Sequence, residues 1–144
     1  MVLKLNTRIR YGLRAILEIS LDESGSGVFQ KDIAERQKIS VKYLDNIITS
    51  LKTAGLIINT KGKKGGYKLT RKPSEIKILD VYKAFEPGVV VVDCISSKYI
   101  CDLSSKCGVR DFWVGLNNLI IAYFESYTIE DLIKVHKIKA VSSS

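Results

Sequence analysis

Leu44, Ile47, Ile48 and Leu51 recur at helical spacing between a capping residue, Ser40, and a glycine, Gly55. Residues 41–54 therefore form a helix with one apolar face to bury, and Lys42, Tyr43, Asp45, Asn46 and Thr49 fall mainly elsewhere on it. A serine ahead of the first turn accepts from a free backbone N–H, and a glycine after the last turn takes the left-handed conformation in which helices commonly end. Before this helix lies a brief Lys38-Ile39-Ser40 turn, and before that a short helix over 30–37, apolar only at Ile33 and Ala34. After Gly55 come two short strands, 56–60 and 67–69, joined by the glycine-rich basic tip Lys61-Gly62-Lys63-Lys64-Gly65-Gly66. An opening helix over 5–21, capped by Asn6 or Thr7, carries Ile9, Leu13, Ile16, Leu17 and Leu21 on its stripe, and residues 22–27 form a loop. Helix, short helix, turn, helix and basic hairpin is the order of a winged helix-turn-helix.

Charge is confined to the same segment. Residues 1–72 carry 15 Lys/Arg against 6 Asp/Glu and residues 73–144 carry 8 against 9, which together give the net +8 of the chain. One half is suited to a polyanion and the other is not. A helix in a DNA major groove needs hydrogen-bonding side chains on its first turns, and Ser40, Lys42, Tyr43, Asp45 and Asn46 supply them. Asn46 can pair with adenine; Asp45 can accept from a cytosine amino group and repels phosphate, so it suits readout better than affinity. Lys61, Lys63 and Lys64 suit the phosphate backbone or a neighbouring minor groove.

Beyond Pro73 the pattern changes. Residues 76–78 form a short extended piece, 79–85 a helix, and 109–126 the longest helix, with Trp113, Leu116, Ile120, Tyr123 and Phe124 on one face. That stripe exceeds what one small wing domain can cover, so it points to a homodimer. A shorter helix over 129–135 follows, and the terminal serines fray. The expectation is a mainly α fold with a small β-hairpin wing: residues 1–72 as the DNA-binding domain, and 73–144 as a cysteine loop and dimerisation region.

The three cysteines, Cys94, Cys101 and Cys107, all fall in one polar loop. Thiolates so gathered hold a soft metal or an iron–sulfur cluster, or form a redox thiol set, and spacing alone leaves these open. An odd count in a chain without a secretory signal argues against a disulfide framework and for a cytoplasmic setting. No apolar run is long enough for a membrane span. A cysteine nucleophile needs a base and His136 is the only histidine; no phosphate-binding loop or paired carboxylates are present, so the reading is not an enzyme.

The segments Arg10-Tyr11-Gly12-Leu13-Arg14-Ala15, Asp32-Ile33-Ala34-Glu35, Ile39-Ser40-Val41-Lys42-Tyr43-Leu44, Gly55-Leu56-Ile57 and Lys61-Gly62-Lys63-Lys64-Gly65-Gly66-Tyr67 resemble the IscR/NsrR/CymR regulators, the Rrf-two family. The similarity runs over about residues 3–134. It implies a winged-helix dimer paired through the long C-terminal helix and bound to an imperfect palindrome of double-stranded DNA. It also implies a basic wing residue at Lys61, and at Asp45 an acidic residue that helps choose between operator classes. Sensing members carry three cysteines in this loop and bind a two-iron or four-iron cluster, which favours iron–sulfur ligation by Cys94, Cys101 and Cys107. Members without them work through a protein partner, and a cluster-free CymR-like regulator, controlled by a partner or by thiol oxidation, is the alternative. The fourth ligand departs from the pattern. Where the IscR-like branch has a histidine this chain has Arg110, and where other branches draw an acidic residue from the first helix of the partner subunit it has Arg10. A guanidinium stays protonated and is a very poor iron ligand. Asp93, Asp102, Asp111, a serine, a small thiol or water remain as candidates.

Overall fold

The structure is a computed structural model and describes residues 5–60, 66–96, 102–103 and 105–143. Helix α1 (Thr7–Ser20) is opened by Asn6, whose side chain accepts from the Ile9 N–H at 2.9 Å. Helix α2 (Gln30–Gln37) ends on Lys38 in the left-handed conformation, φ 56°, which turns the chain toward α3 (Val41–Thr53). Ser40 caps α3 as its position predicts, accepting from the Tyr43 N–H at 3.2 Å. Gly55, φ 75°, then reverses the chain into β1 (Ile57–Asn59).

β1 pairs antiparallel with β2 (Tyr67–Leu69), Ile57 opposite Leu69 and Asn59 opposite Tyr67. Val28 adds a single bridge on the other side of Tyr67, with both backbone hydrogen bonds at 2.9 Å. Gly66 permits this approach: a Cβ there would lie 2.7 Å from the Val28 backbone. The wing is thereby tied to the segment that leads into α2.

A 3-10 turn at Pro73–Glu75 leads to α4 (Ile78–Lys83), a second 3-10 turn spans Asp93–Ile95, and α5 (Arg110–Ser126) and α6 (Ile129–Ser142) complete the chain. Ile78 N–H donates to Tyr127 and Ile129 N–H to Ile76, both at 2.9 Å, so a short extended bridge at Lys77 and Thr128 fastens the α5–α6 turn to the entry of α4. Most helix and strand ends differ by one or two residues from the pattern read in the sequence, and α2 and β2 agree with it. The exception is α6, which continues to Ser142 instead of stopping near 135. Its second half interleaves lysines with exposed Val135, Ile138 and Val141, and helix formers and the Thr128–Asp131 capping box sustain it without burial.

One core serves both sides of Pro73. Ile16, Ile33, Leu44, Ile47, Leu51, Leu56 and Ile57 meet Ile76, Val81, Phe85 and Ile129 in a single buried cluster. Leu44, Ile47, Ile48 and Leu51 are the buried residues of α3, the apolar face expected of it. In α5 only Asn117 is buried, and the apolar stripe divides. Ile120 and Phe124 turn toward Leu5, Ile9, Tyr82 and Val89–Val91 across a groove. Phe112, Leu119 and Tyr123 point outward, 65%, 70% and 62% exposed. The outward apolar face of the long helix is thus carried by Phe112 and Leu119 rather than by Ile120.

Candidate nucleic-acid interface

Burying one face of α3 leaves the opposite face to solvent, and that face carries Lys42, Asp45, Asn46 and Thr49, with Ser40 at its start, all exposed. Their spacing of three and four residues places them in one stripe along the helix. Tyr43 differs. It is half-buried and meets Tyr11 edge-on at 5.6 Å, and Arg14 lies 4.9 Å over the Tyr11 ring. Its ring braces α3 against α1.

Two polar networks hold the stripe in place, and neither was evident from residue spacing. In the first, the Gln30 amide at the start of α2 donates to Asp45 and, at 3.3 Å, to the Val41 carbonyl, while the Tyr67 hydroxyl donates to Gln30 Oε1 at 3.5 Å. In the second, Glu18 is 7% exposed and accepts from Gln37 Nε2 at 2.7 Å, with Arg36 Nη1 at 3.6 Å. Arg14 completes it, donating to Gln37 Oε1 at 2.9 Å and to the Gln37 carbonyl. A buried carboxylate is costly unless its oxygens are met by donors, and here they are. The result ties the end of α2, and so the turn into α3, to α1.

The hairpin closes firmly at its base, where Thr60 N–H donates to Gly66 at 2.8 Å and Gly66 N–H to Thr60 Oγ1 at 2.6 Å. The tip lysines Lys61, Lys63 and Lys64 lie outside the described residues, while Lys68 is exposed on β2.

The cysteines lie along the segment between α4 and α5. Cys94, in the 3-10 turn, and Cys107, three residues ahead of α5, are free and half-buried; Cys101 lies outside the described residues. The turn bearing Cys94 packs on α5, and Asn117 of that helix accepts from the Val91 N–H at 2.9 Å. Three thiolates suit an iron–sulfur cluster in kind and would supply three of its four ligands. Among the described residues no group of three or more His, Cys, Asp or Glu stands close enough to hold a metal. Arg110, at the first turn of α5, has its Nε buried without a hydrogen-bond partner among the described residues. Asp93, Asp102 and Asp111 are exposed, and His136 sits on α6.

Three helices with an exposed polar face on the third, closed by an antiparallel hairpin, define a winged-helix DNA-binding protein of the transcription-regulator class. The chain belongs to the Rrf2 family: the family model described as "Rrf2: Iron-dependent Transcriptional regulator" matches residues 5–135. It is 38% identical over 132 residues to Protein rrf2 of Nitratidesulfovibrio vulgaris, covering 92% of this chain and 88% of that one. It is 31% identical over 140 residues to the HTH-type transcriptional regulator IscR of Aliivibrio salmonicida, covering 97% and 83%. Among solved structures it is similar to CymR, the global cysteine regulator of B. subtilis, with TM-score 0.77 and 26% identity over 93% of this chain and 98% of that one. It is likewise similar to T. potens IscR, with TM-score 0.74 and 29% identity over 93% and 88%. These relatives are transcription regulators, not enzymes. Among the described residues no helix is long and apolar enough to cross a membrane.

Proposed function

We propose that the chain is a cytoplasmic, homodimeric regulator that binds an imperfect palindrome and reports iron–sulfur, redox or nitric oxide status through a cluster held by Cys94, Cys101 and Cys107. The exposed stripe Lys42–Asp45–Asn46 on α3, set within the cationic half of the chain, carries the DNA-binding part of this reading. Asn46 and Asp45 meet base edges, Ser40 and Lys42 meet the backbone beside them, and Lys61, Lys63 and Lys64 meet phosphates from the wing. Tyr43 keeps α3 seated while they do so.

The relatives named IscR and the iron-dependent description of the family support the sensing part. A bound cluster supplies a redox- and nitric-oxide-reactive centre whose gain or loss changes how the cysteine loop is restrained. That loop joins α4 to α5, so its state is felt where the two subunits meet. Anaerobic purification tests this: bound iron and sulfide with visible absorbance, lost on replacing any one of the three cysteines, is the expected result.

A second reading is favoured by two observations. CymR is among the similar structures, and arginines occupy both positions, 10 and 110, at which relatives would supply a fourth ligand. In that reading the chain is cluster-free and answers to a protein partner or to thiol oxidation. A colourless anaerobic preparation without iron, whose DNA affinity still changes on oxidation, would select it.

A further inference from the structure

Both N–H groups of the Gln30 side-chain amide are engaged. Its amide nitrogen faces two groups that can only accept, the Asp45 carboxylate and, at 3.3 Å, the Val41 carbonyl. Its oxygen faces the Tyr67 hydroxyl at 3.5 Å, which donates. Both ends of the amide are therefore assigned by their partners. A glutamine so engaged has no N–H left for a base edge, although it opens α2 beside the exposed stripe of α3.

Asp45 is the residue that gains. It is exposed on α3, and among the described residues its carboxylate has no hydrogen bond other than that from Gln30. A free aspartate facing a polyanion turns away from phosphate and scatters over rotamers. With one oxygen fixed by an amide, the other keeps a single direction in which to accept from an exocyclic amino group. The fixing amide is itself joined to the wing, since Tyr67 lies on β2 and is paired on both sides, with Asn59 and with Val28.

Resting on the DNA-reading role proposed above for Asp45, we propose that Gln30 is a positioning residue for sequence specificity: it sets the direction in which Asp45 accepts, and through Tyr67 it keys that direction to the placement of the wing. Gln30 does not add affinity of its own; it narrows which base pair Asp45 tolerates.

The test is a base-preference profile of the full-length protein, selected from a random duplex library and followed by affinities for the best duplex and its single-base variants. Asp45→Ala should change discrimination at one base-pair position. Gln30→Leu, which keeps bulk and removes the amide, should reduce discrimination at that same position about tenfold, the scale of one well-aimed base contact. Other positions and the salt dependence should stay as in the wild type. Tyr67→Phe, which removes only a hydroxyl, should act at the same position by ~threefold, as fits a longer neutral hydrogen bond. Gln30→Leu added to Asp45→Ala should produce no further change. A uniform loss of affinity, a shift at a different base pair, or additive effects in the double variant would overturn the role of Gln30 while leaving Asp45 as a reader. An unchanged profile for Asp45→Ala would overturn both.

Discussion

Phe85 lies directly against Gly12: a Cβ built on Gly12 would overlap the edge of the Phe85 ring. This packing joins α1 to the turn that follows α4, and Arg8 packs over the same ring at 5.4 Å. Gly12→Ala should therefore overpack the junction and cost about 1–3 kcal/mol in a denaturant melt. Phe85→Leu in the same chain should recover part of that loss. A neutral Gly12→Ala would mean that α4 shifts freely on α1.

Subunit pairing should depend on the outward face of α5. Leu119 is 70% exposed on it, whereas Ile120 faces the chain's own groove. Leu119→Lys should weaken the dimer about 30-fold or more, as loss of a central interface anchor does, and leave the fold intact by circular dichroism. Ile120→Lys should instead lower stability. Sedimentation of the wild type as a monomer at micromolar concentration would rule out the pairing.

Wing and recognition helix should divide their work. Lys63→Ala with Lys64→Ala should weaken every duplex alike and reduce the salt slope by about one for each phosphate that is no longer neutralised. Asn46→Ala should change preference among sequences with little effect on that slope. A wing variant that altered sequence choice and kept its nonspecific affinity would contradict the division.

The start of α6 should be acid-sensitive. The Thr128 backbone N–H, and then its side chain, hold the Asp131 carboxyl below its ordinary value. A group depressed on folding adds stability above its unfolded pKa and loses it as pH falls through the folded one. Asp22, lowered first by the Ser24 hydroxyl, has the same sign. The thermal midpoint should therefore fall on moving from neutral pH into the acid carboxylate range, and Asp131→Asn should flatten the fall. An equal acid dependence in that variant would remove Asp131 from the effect.

The α3 segment was legible because each of its signals is local. Ser40, the Leu44–Ile47–Ile48–Leu51 face and Gly55 are read within one helix, and the structure returns all three. Gln30 and Glu18 were not legible. Gln30 meets Asp45 and Tyr67 across 15 and 37 residues, and Glu18 meets Gln37 across 19, so no periodicity records them. The long helix shows the limit of pattern alone. Apolar residues lie on two of its sides, and only the placement of α1 and α4 decides that Ile120 is inward and Leu119 outward. The type and spacing of the cysteines leave soft-metal, cluster and redox thiol chemistry open, and a fourth ligand contributed from outside the loop would leave no mark in it.

The most direct test of a regulator that senses through its thiol loop is linkage between that loop and DNA. The measurement is operator affinity of the anaerobically purified protein, before and after iron is stripped, beside a variant with Cys94, Cys101 and Cys107 all replaced by Ala. Coupling between two sites is a difference in binding free energy and is commonly about tenfold in affinity. The two wild-type forms should differ by about that factor, and the triple variant should fold, dimerise and bind with one affinity that iron and oxidant do not change. Equal affinities for the loaded and stripped wild type would contradict the account.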